Sequence, residues 1–352
     1  MSRSLLTRWP NACTMLKPTI TRRFSVVQPT QSPISLIDFS VFLKGTPSER
    51  HVVGKEMIEG FKKVGFVYLS KTGLCEGNSR TKMFSILDHF FSLPKHVKDT
   101  LAWKDPRANR GYVAQGREQV TQAYEVSEIA KLRETSPDFK ESMEIGREDD
   151  PQWKNHWPSE NDLPGFKKEM LKFFQECHEL HLEVMRALAL GLTLPQDFFD
   201  DKTQQCNHTL RLLNYPPVML KPGGSRAGAH SDYGTITLLF QDSIGGLEIE
   251  DPSTKQFTAV PPLDDTIVVN VGDLLSRWSN GILRSTLHRV VLPHAVQDDH
   301  HALLTPRRQS IAFFAHPNAD TWVKALPGTG DPQDEGVRTD EYLVRRLSAT
   351  YS

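Results

Sequence analysis

The region between Leu210 and Phe314 constrains the fold most, because it breaks into short β-rich runs bounded by turn residues. The runs are Arg211 to Tyr215, Thr235 to Phe240, Gly246 to Ile249, Thr266 to Val271, Thr286 to Val291 and Ser310 to Phe314. Strands at this spacing, with no helical pattern between them, pair into a barrel or a sandwich rather than a doubly wound parallel sheet. Immediately upstream the period changes. Phe166, Met170, Phe173, Phe174, Cys177, Leu180, Val184, Met185 and Leu188 recur at three- and four-residue steps, which predicts one long amphipathic helix from Gly165 to about Leu194, backing the β core.

The N-terminal half is mixed. Ile34 to Phe39 alternates as a short strand, Met57 to Val64 has helical spacing, and Gly65 to Leu69 reads as a second strand. A further helix carries Met83, Phe84, Ile86, Leu87, Phe90 and Phe91 and ends near Leu93-Pro94, where proline withholds the next amide donor. From Asp105 to Pro164 glycine, proline and charge dominate, so long loops with short strands are expected. A last helical pattern covers Glu341 to Leu347. With Tyr342, Leu343, Leu347 and Tyr351, that helix suits either a cover over a pocket or a subunit contact. The expected class is therefore α+β, mainly β with helices. Its parts are an N-terminal region at 34–160, the backing helix within 161–200, a β core at 205–320 and a C-terminal segment at 321–352.

Charge and cysteine content narrow the function. Lys and Arg number 42 against 43 Asp and Glu, and no basic run interrupts the chain, so nothing invites nucleic acid or an anionic membrane surface. Chemistry on a small molecule is the default. Cys13, Cys75, Cys177 and Cys206 form no C-x-x-C pair, which argues against a disulfide framework or a structural zinc site. No apolar run approaches the length of a membrane span. The stretch from Met1 to Ile37 carries Arg3, Arg8, Lys17, Arg22 and Arg23 with no acid before Asp38, as mitochondrial presequences do. A basic tail on a cytoplasmic protein is the alternative, and residues 1–33 are set apart from the fold.

Two imidazoles and a carboxylate stand out. His230-Ser231-Asp232 enters a β-rich run, and residues two apart on a strand share a face, so both side chains reach one ion. His288, in a separate strand-like run, supplies a third ligand. Two His and one carboxylate leave half of an octahedral sphere open, the arrangement of non-haem iron(II) oxygenases, although zinc hydrolases use similar donors. His51, His89, His96, His156, His178, His181, His300 and His301 lack a carboxylate at useful spacing and read as surface or satisfied histidines. His294 and His316, each beside a proline, read as loop residues. Downstream, Arg308 and Ser310 share a face at the start of an apolar strand and can clamp a carboxylate such as the distal acid of 2-oxoglutarate, with Arg307 the rival for that role.

Taken together, H-x-D, a distal His followed by Arg, and R-x-S before an aromatic strand resemble the 2-oxoglutarate and iron(II)-dependent dioxygenase superfamily, in its isopenicillin N synthase-like branch. The likeness runs from Ile34 to Leu101 and again from Leu210 to Phe314. Within the branch, Ala108-Asn109-Arg110-Gly111-Tyr112, Leu210 to Pro216, Arg226-Ala227-Gly228 and Thr235 to Asp242 look most like thymine dioxygenase and its microbial relatives. The resemblance implies a double-stranded β-helix (jelly roll), iron(II) on His230, Asp232 and His288, and 2-oxoglutarate on Arg308 and Ser310 with the Tyr215 hydroxyl. Dioxygen and 2-oxoglutarate are then consumed, succinate and CO2 formed, a small cyclic organic substrate is expected to be oxidised, and ascorbate helps in vitro. Two departures are Leu213, where some plant members have Asn, and a long loop from Pro293 to Pro306. Tyr233, Phe314 and Arg211, neighbours of the ligands, are the expected substrate walls, with barrel core as the plainer role for the two aromatics. Rival readings are a same-fold oxidase that spares 2-oxoglutarate, a zinc hydrolase and a non-catalytic binder.

Overall fold

The structure is a computed structural model that describes residues 33–105, 108–116, 139–219, 225–291, 296–297, 303–332 and 334–351. The basic N-terminal stretch and His294, His300 and His301 lie outside them. The strands are β1 (Ser35–Asp38), β2 (Phe66–Ser70), β3 (Gly111–Val113), β4 (Glu141–Ile145), β5 (Thr209–Tyr215), β6 (Ser225–His230), β7 (Ile236–Gln241) and β8 (Leu247–Glu250). They continue as β9 (Phe257–Ala259), β10 (Thr266–Val271), β11 (His288–Val291), β12 (Val296–Gln297), β13 (Leu303–Leu304), β14 (Arg308–Phe314), β15 (Trp322–Val323) and β16 (Val337–Arg338). The helices are α1 (Ser40–Lys44), α2 (Pro47–Val64), α3 (Asn78–Phe91), α4 (Lys95–Thr100), α5 (Phe166–Gly191), α6 (Asp200–Thr203), α7 (Asp273–Trp278) and α8 (Thr339–Tyr351).

Local chemistry sets the helix ends. Thr46 and Glu49 form a reciprocal capping box at the start of α2, Pro47 occupies its first turn, and Gly65 closes it in the left-handed region at φ 75°. Glycines also let α2 and α5 touch: a Cβ on Gly54 would lie 2.6 Å from the Ala187 carbonyl, and one on Gly191 2.4 Å from that of Gly54.

A major sheet of eight strands runs in the order β1-β2-β10-β7-β14-β5-β4-β3, and a minor sheet in the order β6-β11-β8-β9. Alternation along the major strands divides the core. Val67, Leu69, Leu212, Ile311 and Phe313 join the helices α2, α3 and α5 in one cluster. Their neighbours Phe66, Tyr68, Leu213 and Ala312 join Ala227, Leu247, Ile249 and Val290 of the minor sheet in another. The minor sheet thus packs on one face of the major and the helices on the other, the jelly-roll sandwich with a long backing helix that the sequence suggests; no closed barrel forms.

Several short elements escape sequence reasoning, and two of them, β6 and α7, adjoin the site. β6 (Ser-Arg-Ala-Gly-Ala-His) has no β-branched or aromatic residue, so its strand exists only because β11 pairs with it. α7 is too short for a periodic signal. Among the described residues no helix is long and apolar enough to cross a membrane.

Candidate active site

His230 ends β6 and His288 begins β11, directly opposite it, in a pairing whose register slips one residue further on, the bulge common beside active sites. Asp232 does not share a strand with His230, as H-x-D spacing suggests. The chain leaves β6 at His230, and Asp232 sits in the connection to β7, its carbonyl accepting from the Asp273 amide at 2.8 Å. The tertiary turn, not strand alternation, brings the pair together.

The hydrogen bonds around these side chains fix their lone pairs. His230 Nδ1 donates to the Gly228 carbonyl at 2.8 Å and His288 Nδ1 to the Thr286 carbonyl at 3.2 Å, which leaves both Nε2 atoms unprotonated in the neutral rings. Asp232 Oδ2 accepts from Thr237 Oγ1 at 2.6 Å and Asn270 Nδ2 at 2.7 Å, so Oδ1 turns to the histidines, 3.9 Å from His230 Nε2 and 3.7 Å from His288 Nε2. Burial, reinforced by His288, pushes His230 down to about 3 and keeps it neutral. Burial opposes ionisation of Asp232, but both histidines and the Asn270 and Thr237 bonds hold it below its ordinary value. One ligand atom from each residue lies within 4.8 Å of the others. Three electron-rich atoms facing one another without a proton between them fit a cation, and their N, N, O character fits iron(II).

A narrow inner cavity of about 70 Å³ leads from this centre between the sheets to Tyr215, Arg308 and Ser310. Arg308, 1% exposed, donates from Nε to the Gly245 carbonyl at 2.7 Å and from Nη1 to Ser310 Oγ at 3.2 Å. Because Ser310 accepts there, its own O–H remains to give. Arg307, one residue away and so on the opposite face, turns out of the cavity to Asp88 and Asn214. Of the two arginines, only Arg308 lines the inner cavity.

An outer cavity of about 260 Å³ opens on the other side of the centre, and the two cavities share Arg211, His230, Asp232 and Phe314 as walls. Tyr233 lines the outer one, with the Arg346 guanidinium 4.5 Å over its ring, and Leu343, Val344 and Leu347 of α8 complete it. α8 thus lines the outer cavity, one of the two roles its sequence leaves open. Arg211 is an ion pair rather than a lone cation: Nε lies 2.7 Å from Oε1 of the fully buried Glu144, and its guanidinium rests 5.3 Å from the Phe314 ring centre.

Comparison with known proteins agrees with this geometry. Residues 203–317 match the 2OG-Fe(II) oxygenase superfamily, and 34–160 match the N-terminal region of non-haem dioxygenases described from morphine synthesis. The 2-oxoglutarate-dependent dioxygenase frbA of Dothideomycetidae sp. (strain 11243) is 37% identical over 302 residues, 84% of this chain and 88% of that one. The chain belongs to the 2OG-Fe(II) oxygenase superfamily. It is a 2-oxoglutarate and iron(II)-dependent dioxygenase. Proline hydroxylase buaE of Petromyces alliaceus is 34% identical, covering 90% of this chain and 99% of that one. Among solved structures, Neurospora crassa T7H (thymine-7-hydroxylase) in complex with alpha-KG and thymine superposes with a TM-score of 0.81 at 46% identity, covering 90% of this chain and 97% of that one.

Within this dioxygenase a second histidine cluster needs a different account. His178, His181 and His208 are buried with ligand atoms as close as those of the triad. Here, however, protons fill the gaps. His208 Nδ1 accepts from the His316 amide at 3.0 Å, so its Nε2 carries the hydrogen and donates to His178 Nδ1 at 3.0 Å. Thr235 spends its O–H on the Ala315 carbonyl, so His181 Nε2 donates to Thr235 Oγ1 at 3.1 Å. A metal on His208 Nε2 would force a proton onto Nδ1 against an amide N–H. His178 and His181 are thus buried rather than on the surface, with His178 Nδ1 and His181 Nε2 hydrogen-bonded, while His181 Nδ1 is buried without a partner among the described residues.

Other residues were not legible as part of the site. His316, read as a loop residue, lines the outer cavity; Nδ1 is buried against Gly234, where an added Cβ would come within 2.5 Å of it, so Nε2 faces the cavity. Asn109 lines the same space and donates from Nδ2 to Thr209 Oγ1 at 3.2 Å, while its buried Oδ1 has no partner among the described residues. Thr237 and Asn270 orient Asp232 from β7 and β10, where they are paired across the sheet. Only tertiary contact marks any of these.

Proposed function

We propose that His230, Asp232 and His288 hold the iron(II), that Arg308, Ser310 and Tyr215 bind the far carboxylate of 2-oxoglutarate, and that a flat, polar ring of the pyrimidine-base type occupies the outer cavity. One observation carries this reading: the two cavities share His230 and Asp232, with Arg211 and Phe314, as walls, so co-substrate and substrate can both reach the metal-binding residues. Iron(II) held there supplies activation of dioxygen coupled to decarboxylation of 2-oxoglutarate to succinate and CO2.

The remaining work falls to the side chains. Arg308 offers parallel N–H donors and Ser310 its O–H to the carboxylate, which fixes the co-substrate along the inner cavity. Tyr233 and Phe314 suit the faces of a ring, and the polar edges of Asn109, His316 and the Arg211–Glu144 pair suit its N–H and C=O groups. Leu343, Val344 and Leu347 exclude water from the outer side. The thymine seen in the T7H complex is a ring of this kind. The arginine-bearing, acid-free stretch before Asp38 supports delivery to mitochondria, which tagged full-length chain and cell fractionation would test.

Succinate release in the presence of iron(II), ascorbate and 2-oxoglutarate tests the whole reading. Thymine and related pyrimidines should raise it above the uncoupled background, with a hydroxylated base formed in equal amount. If a non-pyrimidine ring couples and pyrimidines do not, the substrate assignment is overturned. Turnover of substrate without succinate would instead identify an oxidase that spares 2-oxoglutarate.

A further inference from the structure

Arg226, in β6, is the least expected charge in the molecule. It is 0% exposed, and no ion pair to it is seen among the described residues. Nη2 donates to Thr305 Oγ1 at 3.0 Å and to the Pro306 carbonyl, but Nε and Nη1 are buried without an acceptor among the described residues. A guanidinium placed in this way costs folding free energy unless something else uses its charge.

Its surroundings indicate what that is. The guanidinium carbon lies 5.7 Å from the centre of the Tyr215 ring, and that of Arg308 lies 4.9 Å from the same ring. Burial first, and then the nearby Arg308, push Arg226 down to about 10, still charged at neutral pH. Asp242 is the acid whose field reaches both arginines, and its carboxylate is engaged by the Gln309 and Ile244 amides rather than by either guanidinium. Two buried cations therefore face one Tyr ring, and among the described residues Asp242 is the acid that acts on both. Among the described residues the arrangement is short of one negative charge, beside the Tyr215 and Arg308 walls of the cavity assigned to the co-substrate.

We infer that Arg226 is a positioning residue for 2-oxoglutarate: it holds Tyr215 and adds positive potential behind Arg308, so that the pocket selects a 2-oxo acid bearing a distal carboxylate. The inference rests on the reading that Arg308 binds that carboxylate. Arg226 acts through its neighbours, since it lies behind Tyr215 rather than in the cavity wall. A neutral residue here leaves Arg308 in place but weakens the field that the dianion meets.

The experiment is calorimetric titration of the full-length, manganese(II)-loaded protein with 2-oxoglutarate and with 2-oxopentanoate, which has the same chain without the distal acid. Arg226→Gln should weaken 2-oxoglutarate by roughly tenfold and leave 2-oxopentanoate within about twofold, whereas Arg226→Lys should recover most of the loss. Arg308→Gln should weaken 2-oxoglutarate further still. The rise in Tm caused by saturating 2-oxoglutarate is read beside each titration, because a purely structural role lowers the starting Tm but leaves that rise unchanged. Wild-type affinity in Arg226→Gln, alongside a large loss in Arg308→Gln, would overturn the inference and spare the pocket assignment. Wild-type affinity in Arg308→Gln would overturn both. If Arg226→Gln does not fold, Arg226→Lys still decides: loss of 2-oxoglutarate selectivity with the charge retained counts against the proposal.

Discussion

Asn270 donates to Oδ2 of Asp232 at 2.7 Å from the neighbouring strand of the major sheet, and so aims the other carboxylate oxygen at the two histidines. Partners of this kind orient a ligand they do not replace. Asn270→Ala should lower iron(II) or cobalt(II) affinity by roughly 10- to 100-fold with little change in fold, and Asp232→Ala should abolish binding. Metal titration followed by visible spectroscopy of the cobalt form checks this. Unchanged affinity in the Asn270 variant would show that the carboxylate needs no orientation.

Arg307 and Arg308 are adjacent, and strand geometry sends them to opposite faces. Arg308→Ala should raise the KM for 2-oxoglutarate by about two orders of magnitude, as expected for loss of a buried charge-assisted pair. Arg307→Ala removes a half-exposed ion pair with Asp88 and should change stability by no more than ~1 kcal/mol and KM hardly at all. The opposite ranking in steady-state kinetics would reverse the assignment.

The buried histidine network should make stability fall with acid. Burial holds His181 down to about 3 and His208 well below its ordinary value, so the unfolded chain binds protons near 6.5 that the folded one refuses. Stability is then intact above pH 6.5 and declines as pH falls toward 3, by ~1.4 kcal/mol per unit for each such histidine. In urea denaturation of the metal-loaded protein between pH 7 and 5, His181→Asn should show a shallower decline than wild type by about one proton's worth. Identical slopes would mean that the residue is protonated in the native state.

Arg346 stacks on Tyr233 from the C-terminal helix and is itself 2% exposed. Arg346→Met keeps the length but loses a buried cation–π contact worth ~2 kcal/mol. The substrate KM should rise several-fold while 2-oxoglutarate affinity stays the same, because only the outer cavity is touched. A parallel rise in both constants would point to general loosening instead.

Gly234 leaves no room for a side chain. An added Cβ would lie 2.0 Å from the Ala315 carbonyl, backbone that cannot swing away, and it would press on His316. Gly234→Ala should cost more than ~2 kcal/mol in stability and impair metal binding through the adjoining Asp232 loop. Thermal melts of the apo and metal-loaded forms provide the check.

Much of this was readable along the chain, because the signals involved are periodic or local. The long helix at Phe166–Gly191, the strand at Thr266–Val271 and the Arg308–Ser310 face all follow from spacing that a strand or helix maps directly into direction. His230, Asp232 and His288 are recognisable as candidate donors whatever the chain does between them. Their meeting is another matter. A bulge in the β6–β11 pairing, a turn that carries Asp232 off the strand, and hydrogen bonds from Thr237 and Asn270 bring the lone pairs to one point. The same holds for Asn109, His316 and the two guanidiniums at Tyr215. Composition and order determined which chemical groups this protein owns and the elements that carry them; only the packing of one sheet on the other decided which of those groups share a cavity, since that depends on contacts between residues far apart in sequence.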